Sequence, residues 1–329
     1  LTNLEHPQKK MGPVLSIDPK WASILQASGF NVVSLANNHV LDMGESGLQD
    51  TLEYCHSAGL SVVGAGRNLR EASQPLILEK EGIKIGLLAF AEVKYSIATE
   101  ASFGAAPIDP ISNFYTINAL KQDVDHTIII LHAGNEFYQY PRPGLVKLCR
   151  YYVELGASAV ICHHAYVPLG YEVYQDTPIF YGTGNFYFPS DKYKIDEWRQ
   201  GYMVSLSFFR NFKMSFEITP YRFNVDGIHV LEENERSMFL EKLEERSNII
   251  HDQASLQQQW ESYCQNEQMT YVQNLYAYNK FDRLLFRNKV LKPTNFPNRT
   301  LKLLNYYRCD SHREAIIQIL DQFFQKTSA

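Results

Sequence analysis

Cysteine is scarce and scattered. The five residues, Cys55, Cys149, Cys162, Cys264 and Cys309, stand far apart with no CxxC pair among them. An odd, dispersed set argues against a disulfide framework or a paired-cysteine zinc site. It suits reduced thiols filling a core, with a cytoplasmic chain as the expectation. Positive charge is also short: the net charge of -5 disfavours nucleic acid as a partner, because such domains are usually basic overall. No apolar run approaches the roughly 20 residues of a membrane-spanning helix. Internal repeats and low-complexity tracts are missing too. The chain opens on Leu1 rather than Met, which leaves room for an upstream segment carrying a signal or an anchor.

What is present is alternation. "WASILQASGF" reads as a helix ending at Gly29, "NVVSLAN" as a strand and "SGLQDTLEYCHSAG" as a helix with Leu48, Leu52 and Cys55 on one face. "LSVVGAG" is a strand, and "PLILEKEGIKIGLLAFA" a hairpin turning at Glu81-Gly82. "HTIIILHAG", "GLVKLCRYYVELG" and "SAVICHHA" continue the series as strand, helix, strand. The runs Val32 to Leu35 and Thr127 to Leu131 are apolar without alternation, the mark of strands covered on both faces. An α/β architecture follows. From about residue 171 consecutive strands without helices appear, and after Val230 the pattern turns helical. The last helix carries an apolar stripe at Ile316, Ile319, Leu320, Phe323 and Phe324, behind a capping box of Ser311 and Glu314.

In open α/β sheets, ligands gather beyond the carboxyl ends of the strands. Here separate strands end in Asn37-Asn38-His39, in His132 followed by Glu136, and in His163-His164. Taken singly, each is more simply a cap, a turn former or a surface carboxylate. Together they form a mixed nitrogen and oxygen donor set that suits Mn, Fe or Zn better than Ca. His56, His126, His229, His251 and His312 fall on helix faces, strand starts or turns and receive no chemical role. Tyr138, Tyr140, Tyr151 and Tyr152 could line a polymer groove, although ordinary packing explains them more simply. Residues 280 to 302 carry Lys280, Arg283, Arg287, Lys289, Lys292, Arg299 and Lys302 against Asp282. This stripe could meet an anionic polymer or a membrane surface, or simply face solvent or an acidic main domain.

"NLEHP" at 3 to 7, "SLANNHVLDMGESGLQDTL" at 34 to 52 and "GLSVVGAGRNLREASQP" at 59 to 75 resemble the bacterial capsule-synthesis CapA family, of the poly-γ-glutamate biosynthesis type. So do "HAGNEFYQYP" at 132 to 141 and "ASAVICHHAYVPLGYEVYQDTPIFYGTGNF" at 157 to 186. The resemblance runs over roughly residues 1 to 220. It implies the calcineurin-like metallophosphoesterase fold: a four-layer β-sandwich flanked by helices, with a two-metal site at the strand ends. It would occupy residues 1–228, followed by a helical C-terminal extension over 229–329.

By the same resemblance, Glu5, Asn38, His132 and His164 are the metal ligands, and His39 is the proton donor oriented by Asp42. Asn37, Glu136, His163, Tyr166 and Asn185 are weaker candidates for substrate contact. The family's aspartate motif would lie ahead of Leu1, and the second histidine of its His-x-His pair is replaced by Tyr166. The expectation is therefore one divalent ion at most, Mn, Fe or Zn. The expected reaction is hydrolysis or transfer at a phosphoester or an amide. The alternative is a non-catalytic role in binding polymer or assembling other capsule-biosynthesis proteins. The expected ligand is an anionic polymer or its precursor.

Overall fold

A computed structural model describes residues 12–189, 195–209, 214–276 and 297–327. The first half alternates as anticipated. Helix α1 (Lys20–Ala27) precedes β1 (Val32–Ser34), α2 (Gly44–Ser57), β2 (Ser61–Val63), β3 (Ala65–Gly66) and α3 (Leu69–Ala72). Next come β4 (Leu76–Lys80), β5 (Ile83–Ala91), β6 (Gly104–Ala105), α4 (Pro110–Leu120), β7 (His126–His132), α5 (Pro143–Glu154) and β8 (Ala159–His163). The strand-rich part follows as β9 (Tyr171–Tyr174), β10 (Thr177–Phe180), β11 (Gln200–Phe208), β12 (Met214–Asn224) and β13 (Gly227–Val230). The helical part comprises α6 (Glu233–His251), α7 (Gln253–Tyr276), α8 (Pro297–Arg308) and α9 (Asp310–Thr327). No helix among the described residues is long and apolar enough to cross a membrane.

The main sheet runs β4-β5-β7-β8-β10-β9, parallel from β5 to β10 with an antiparallel strand at each edge. The β4–β5 hairpin turns through Glu81 and Gly82 at φ 55° and 75°, the left-handed pair that a tight two-residue turn requires. One face of the sheet buries Ile129, Leu131 and Val160 against Ile117 of α4 and Leu145, Cys149 and Tyr152 of α5. The other face packs Leu87, Ile128 and Ala159 against Val32 of β1 and Leu206, Phe208 and Met214 of β11 and β12. Beyond β1 and β2, a further layer of α1 and α2 buries Ala22 and Cys55 with Leu60. The order helix, sheet, sheet, helix is the expected flanked sandwich. It explains why β5, β7 and β8 show no polar alternation: neither face meets water.

Gly64 marks the closest approach of the two sheets. It sits at φ +86°, and a Cβ there would fall 2.6 Å from the Ala36 Cβ and 2.7 Å from the Ala89 Cβ. Small residues at this point let β1 and β2 press onto β5, so that their loop ends meet above the same edge of the main sheet.

All five cysteines are free and buried, as core-filling thiols should be. The tyrosines after His132 also resolve into packing. Tyr138 lies against Trp260 and Tyr263, and the buried Tyr152 hydroxyl donates to Asn113 Oδ1 at 2.6 Å. The apolar stripe of α9 buries Ile316 and Ile319 against Trp260, Cys264 and Tyr271 of α7. The side chains of Phe323 and Phe324 are not among those described. The Ser311–Glu314 capping box is not formed. Helix α9 begins at Asp310, one residue before Ser311, and both side chains are taken by tertiary partners described below. Buried charge at that point outweighs a local cap of about 1 kcal/mol.

Candidate functional site

Four chain segments deliver polar groups to one crevice at the carboxyl edge of the main sheet. β1 runs into the turn holding Asn37, Asn38 and His39; β5 runs into Glu92 and Lys94; β7 ends at His132; β8 ends at His163 and leads to His164. The strand ladder sets the spacing, since Ala91 pairs with His132 and His132 with His163 in parallel register. The segment after β5 folds over the first turn, with Ser96 Oγ donating to the Asn38 carbonyl at 2.8 Å.

His39 and Asp42 form a dyad. His39 Nδ1 and Asp42 Oδ2 are 2.7 Å apart, with the His39 side chain 19% exposed and that of Asp42 fully buried. The same carboxylate oxygen accepts the Leu15 N–H at 2.7 Å. Anchored this way, Asp42 orients the ring and keeps Nδ1 occupied, so any proton the ring passes to a ligand goes through Nε2.

Asn38, His132 and His164 come together. His132 Nε2 lies 2.9 Å from Asn38 Oδ1, and the His132 and His164 rings are 4.6 Å apart. Burial holds both imidazoles well below the ordinary histidine pKa, and the charge of Lys94 lowers them further. Both shifts favour the neutral ring, the form in which an imidazole can ligate a metal. His163 is turned aside: its Nδ1 meets Thr183 Oγ1 at 3.0 Å, and burial pulls it down to about 4.

The weaker candidates divide. Asn37 Oδ1 accepts the His39 N–H at 2.8 Å and so shapes the turn. Glu136 stands at the rim, 49% exposed, with Oε1 3.8 Å from His164 Nε2. Tyr166, at φ 67°, packs on Trp198 at 5.1 Å and on the His164 ring at 5.7 Å, forming an aromatic wall. Asn185 donates to the Trp198 carbonyl at 3.0 Å and supports that wall from behind. Glu5 and the basic residues from 280 to 296 lie outside the described residues.

The donors at the strand ends are of the right chemical kind for a transition metal, but the described residues do not fit one as they stand. Lys94 Nζ lies 2.7 Å from His164 Nε2 and takes the lone pair that a metal would use. Among the described residues, no group of three or more His, Cys, Asp and Glu side chains is arranged to hold an ion. A cation bound through His164 would sit against the ammonium, and like charges at that separation repel.

Behind the crevice lies a second cluster, centred on the buried Glu92 and Arg142. The Glu92 carboxylate faces Arg142 Nη2 at 3.0 Å, and Arg142 Nε donates to Glu314 Oε1 at 3.0 Å. Ser311 Oγ donates to Glu92 Oε2, which also receives the Cys309 thiol at 3.4 Å. Burial pushes the Glu92 carboxyl up. The charges of Arg142 and Lys94 and the two hydrogen bonds outweigh it, and the net shift is downward. Burial alone would lower Arg142, but Glu92 and Glu314 hold it above its ordinary value. Glu314 Oε2 also accepts the Gly144 N–H at 3.2 Å, so a carboxylate from α9 caps the start of α5. Tyr95 adds a hydroxyl bond to the Leu301 carbonyl of α8. His312, given no role from sequence, lies within the electrostatic reach of Lys94. Its Nδ1 is 2.7 Å from the Tyr271 hydroxyl, and burial brings it to about 4.

Glu92 and Lys94 are the residues that sequence reasoning missed at the strand ends. The signal existed: "AFAEVK" is another apolar strand ending in charge, subject to the same rule as the others.

A sequence model of one family, described as bacterial capsule synthesis protein PGA_cap, matches residues 1–190. The PGA biosynthesis protein CapA of Bacillus subtilis (strain 168) is 31% identical over 209 residues, covering 63% of this chain and 54% of its own length. The capsule biosynthesis protein CapA of Bacillus anthracis is 31% identical over 180 residues, 53% of this chain and 44% of its own. The chain thus spans about half the length of these relatives. Among solved structures, the calcineurin-like phosphoesterase YfkN from Bacillus subtilis aligns with a TM-score of 0.39 at 14% identity, covering 66% of this chain and 65% of that one.

Proposed function

The chain belongs to the bacterial capsule synthesis family PGA_cap, and on that premise we propose that it serves the making of an anionic capsular polymer, poly-γ-glutamate or a capsular polysaccharide. The strand-end crevice is its working site, and the polymer or its precursor is the ligand. The observation that carries this reading is the His39–Asp42 dyad, with a fully buried carboxylate fixing a ring that still reaches solvent. Such a ring can deliver a proton from Nε2 to a leaving oxygen or nitrogen, an effect commonly worth 10²–10⁴-fold. The reaction class is hydrolysis or transfer at a phosphoester or an amide. The divalent-metal form of this chemistry would need Asn38, His132 and His164 together with Glu5, and it would require Lys94 to move away.

The presence of Lys94 beside His164 favours a second reading, in which the crevice binds polymer without cleaving it and the chain assembles with other capsule-biosynthesis proteins. One experiment separates the two. In a capsule-forming strain that depends on this chain, His39→Ala is expected to lower polymer output by about two orders of magnitude if the dyad transfers a proton. Asp42→Asn should do the same less severely. Full polymer output from folded His39→Ala protein would sink the catalytic reading and leave the assembly role.

A further inference from the structure

We propose that Lys94 is the resident cation of the strand-end crevice, and that its ammonium, in place of a metal ion, holds an oxyanion of the ligand there. The inference rests on the reading of this crevice as the working site. It departs from that reading in assigning no metal.

Lys94 follows β5, whose neighbours β7 and β8 deliver His132 and His164 in register. Its Nζ reaches His164 Nε2 at 2.7 Å. Its charge acts on His132, His164 and His312, and on Glu92. It therefore stands within the histidine cluster, on the His164 nitrogen that a metal ion would use. His164, accepting through Nε2, must carry its own proton on Nδ1. That leaves Nε2 no lone pair for coordination while the lysine stays.

The ammonium is also available. Lys94 is half-buried, not sealed. Glu92, the buried carboxylate that feels its charge, is already bonded to Arg142, Ser311 and Cys309. Among the described residues no carboxylate lies within ion-pair distance of Lys94. One of its N–H groups meets an imidazole, and the other two remain for a ligand. A compact ammonium in a partly dry crevice, met by one imidazole, is suited to a carboxylate or phosphate oxygen. Both oxyanions share that chemistry, so the experiment carries both.

The test uses the whole chain. Metal content and Mn²⁺ and Zn²⁺ titration are measured for the wild type and for Lys94→Met. Binding of poly-γ-glutamate and of inorganic phosphate is measured in buffer containing EDTA for the wild type, Lys94→Met and Lys94→Arg, each first shown to melt cooperatively. The wild type is expected to carry less than one metal per chain. Lys94→Met is expected to bind Mn²⁺ or Zn²⁺ at least about tenfold more tightly. Oxyanion binding by the wild type should survive EDTA, fall at least about tenfold in Lys94→Met and persist in Lys94→Arg. Whichever probe binds more tightly identifies the oxyanion. A stoichiometric metal in the wild type, loss of binding in EDTA, or unchanged binding by Lys94→Met would each overturn the assignment. None of these readouts depends on His39, so failure of the proton-donor reading would be seen separately, in the capsule phenotype.

Discussion

Two polar clusters lie back to back at the end of β5, and they are built on opposite plans. The histidine cluster, Asn38, His132 and His164 with Lys94, is made of neutral donors around one ammonium, is half open, and is held by single hydrogen bonds. The carboxylate cluster, Glu92, Arg142 and Glu314 with Ser311 and Cys309, pairs a buried guanidinium with the buried Glu92 carboxylate and with the partly exposed Glu314. Glu92 and Lys94 leave the same strand two residues apart, yet one is consumed by structure and the other is not. The lesson concerns charge placement. A buried carboxylate committed to a guanidinium, a hydroxyl and a thiol is spent on structure, whereas a cation met by imidazole alone keeps capacity for a ligand.

The sharpest way to break this contrast is to remove Arg142. Arg142→Met strands the buried Glu92 carboxylate and frees Glu314, and is expected to cost about 3–5 kcal/mol, read as a drop in the urea midpoint. Adding Glu92→Gln and Glu314→Gln should recover much of the loss, because the penalty belongs to the uncompensated charges. No comparable cost is expected on the histidine side.

Acid should act next. His163 and His312 sit at about 4 in the folded chain against an ordinary value near 6.5. Depressed histidine values mean that the unfolded chain takes up protons the folded one refuses. Stability is therefore full above about pH 6.5 and falls as pH drops toward 4. The expected loss is about 2 kcal/mol for each by pH 5, measured by urea titration at pH 7 and pH 5. His312→Asn should flatten that slope by roughly half. Glu92 acts in the same sense at lower pH. Its carboxylate is held below the ordinary range, so its contribution is present above that range and is lost only as pH falls through the folded value.

A smaller effect is expected at Gly144, where an added Cβ would land on the Glu314 carboxylate. Gly144→Ala should loosen α9 from α5 at a cost of about 1–2 kcal/mol, visible as faster amide exchange in α9. Glu136, at the rim, sets the floor: Glu136→Gln should change stability by no more than about 0.5 kcal/mol. A larger change would show that the open side also carries structural charge.

Much of this was readable in the residues. The Glu81-Gly82 turn, the unalternating β1 and β7, and the convergence of Asn38, His132 and His164 all follow from local pattern and the strand-end rule. The His39–Asp42 contact spans three residues and sits in one turn. What escaped reading depends on distance in sequence. Arg142 finds Glu314 across 172 residues, and Ser311 finds Glu92 across 219. No window of the chain displays both partners. The same cause misled the capping-box expectation, since Ser311 and Glu314 look like a local motif until their remote partners are known. Lys94 was hidden differently: its neighbours read as the tail of a hairpin, and only the parallel register sets it beside histidines about 40 and 70 residues later.

The seat of Glu314 on α5 has one more consequence. The match to the family model ends at residue 190, but the electrostatic seam crosses that border, tying Glu92 and Arg142 to a helix more than a hundred residues beyond it. A protein trimmed to the matched segment would keep both residues and lose Glu314 and Ser311. Swapping C-terminal tails between relatives would then be a test of folding as much as of function.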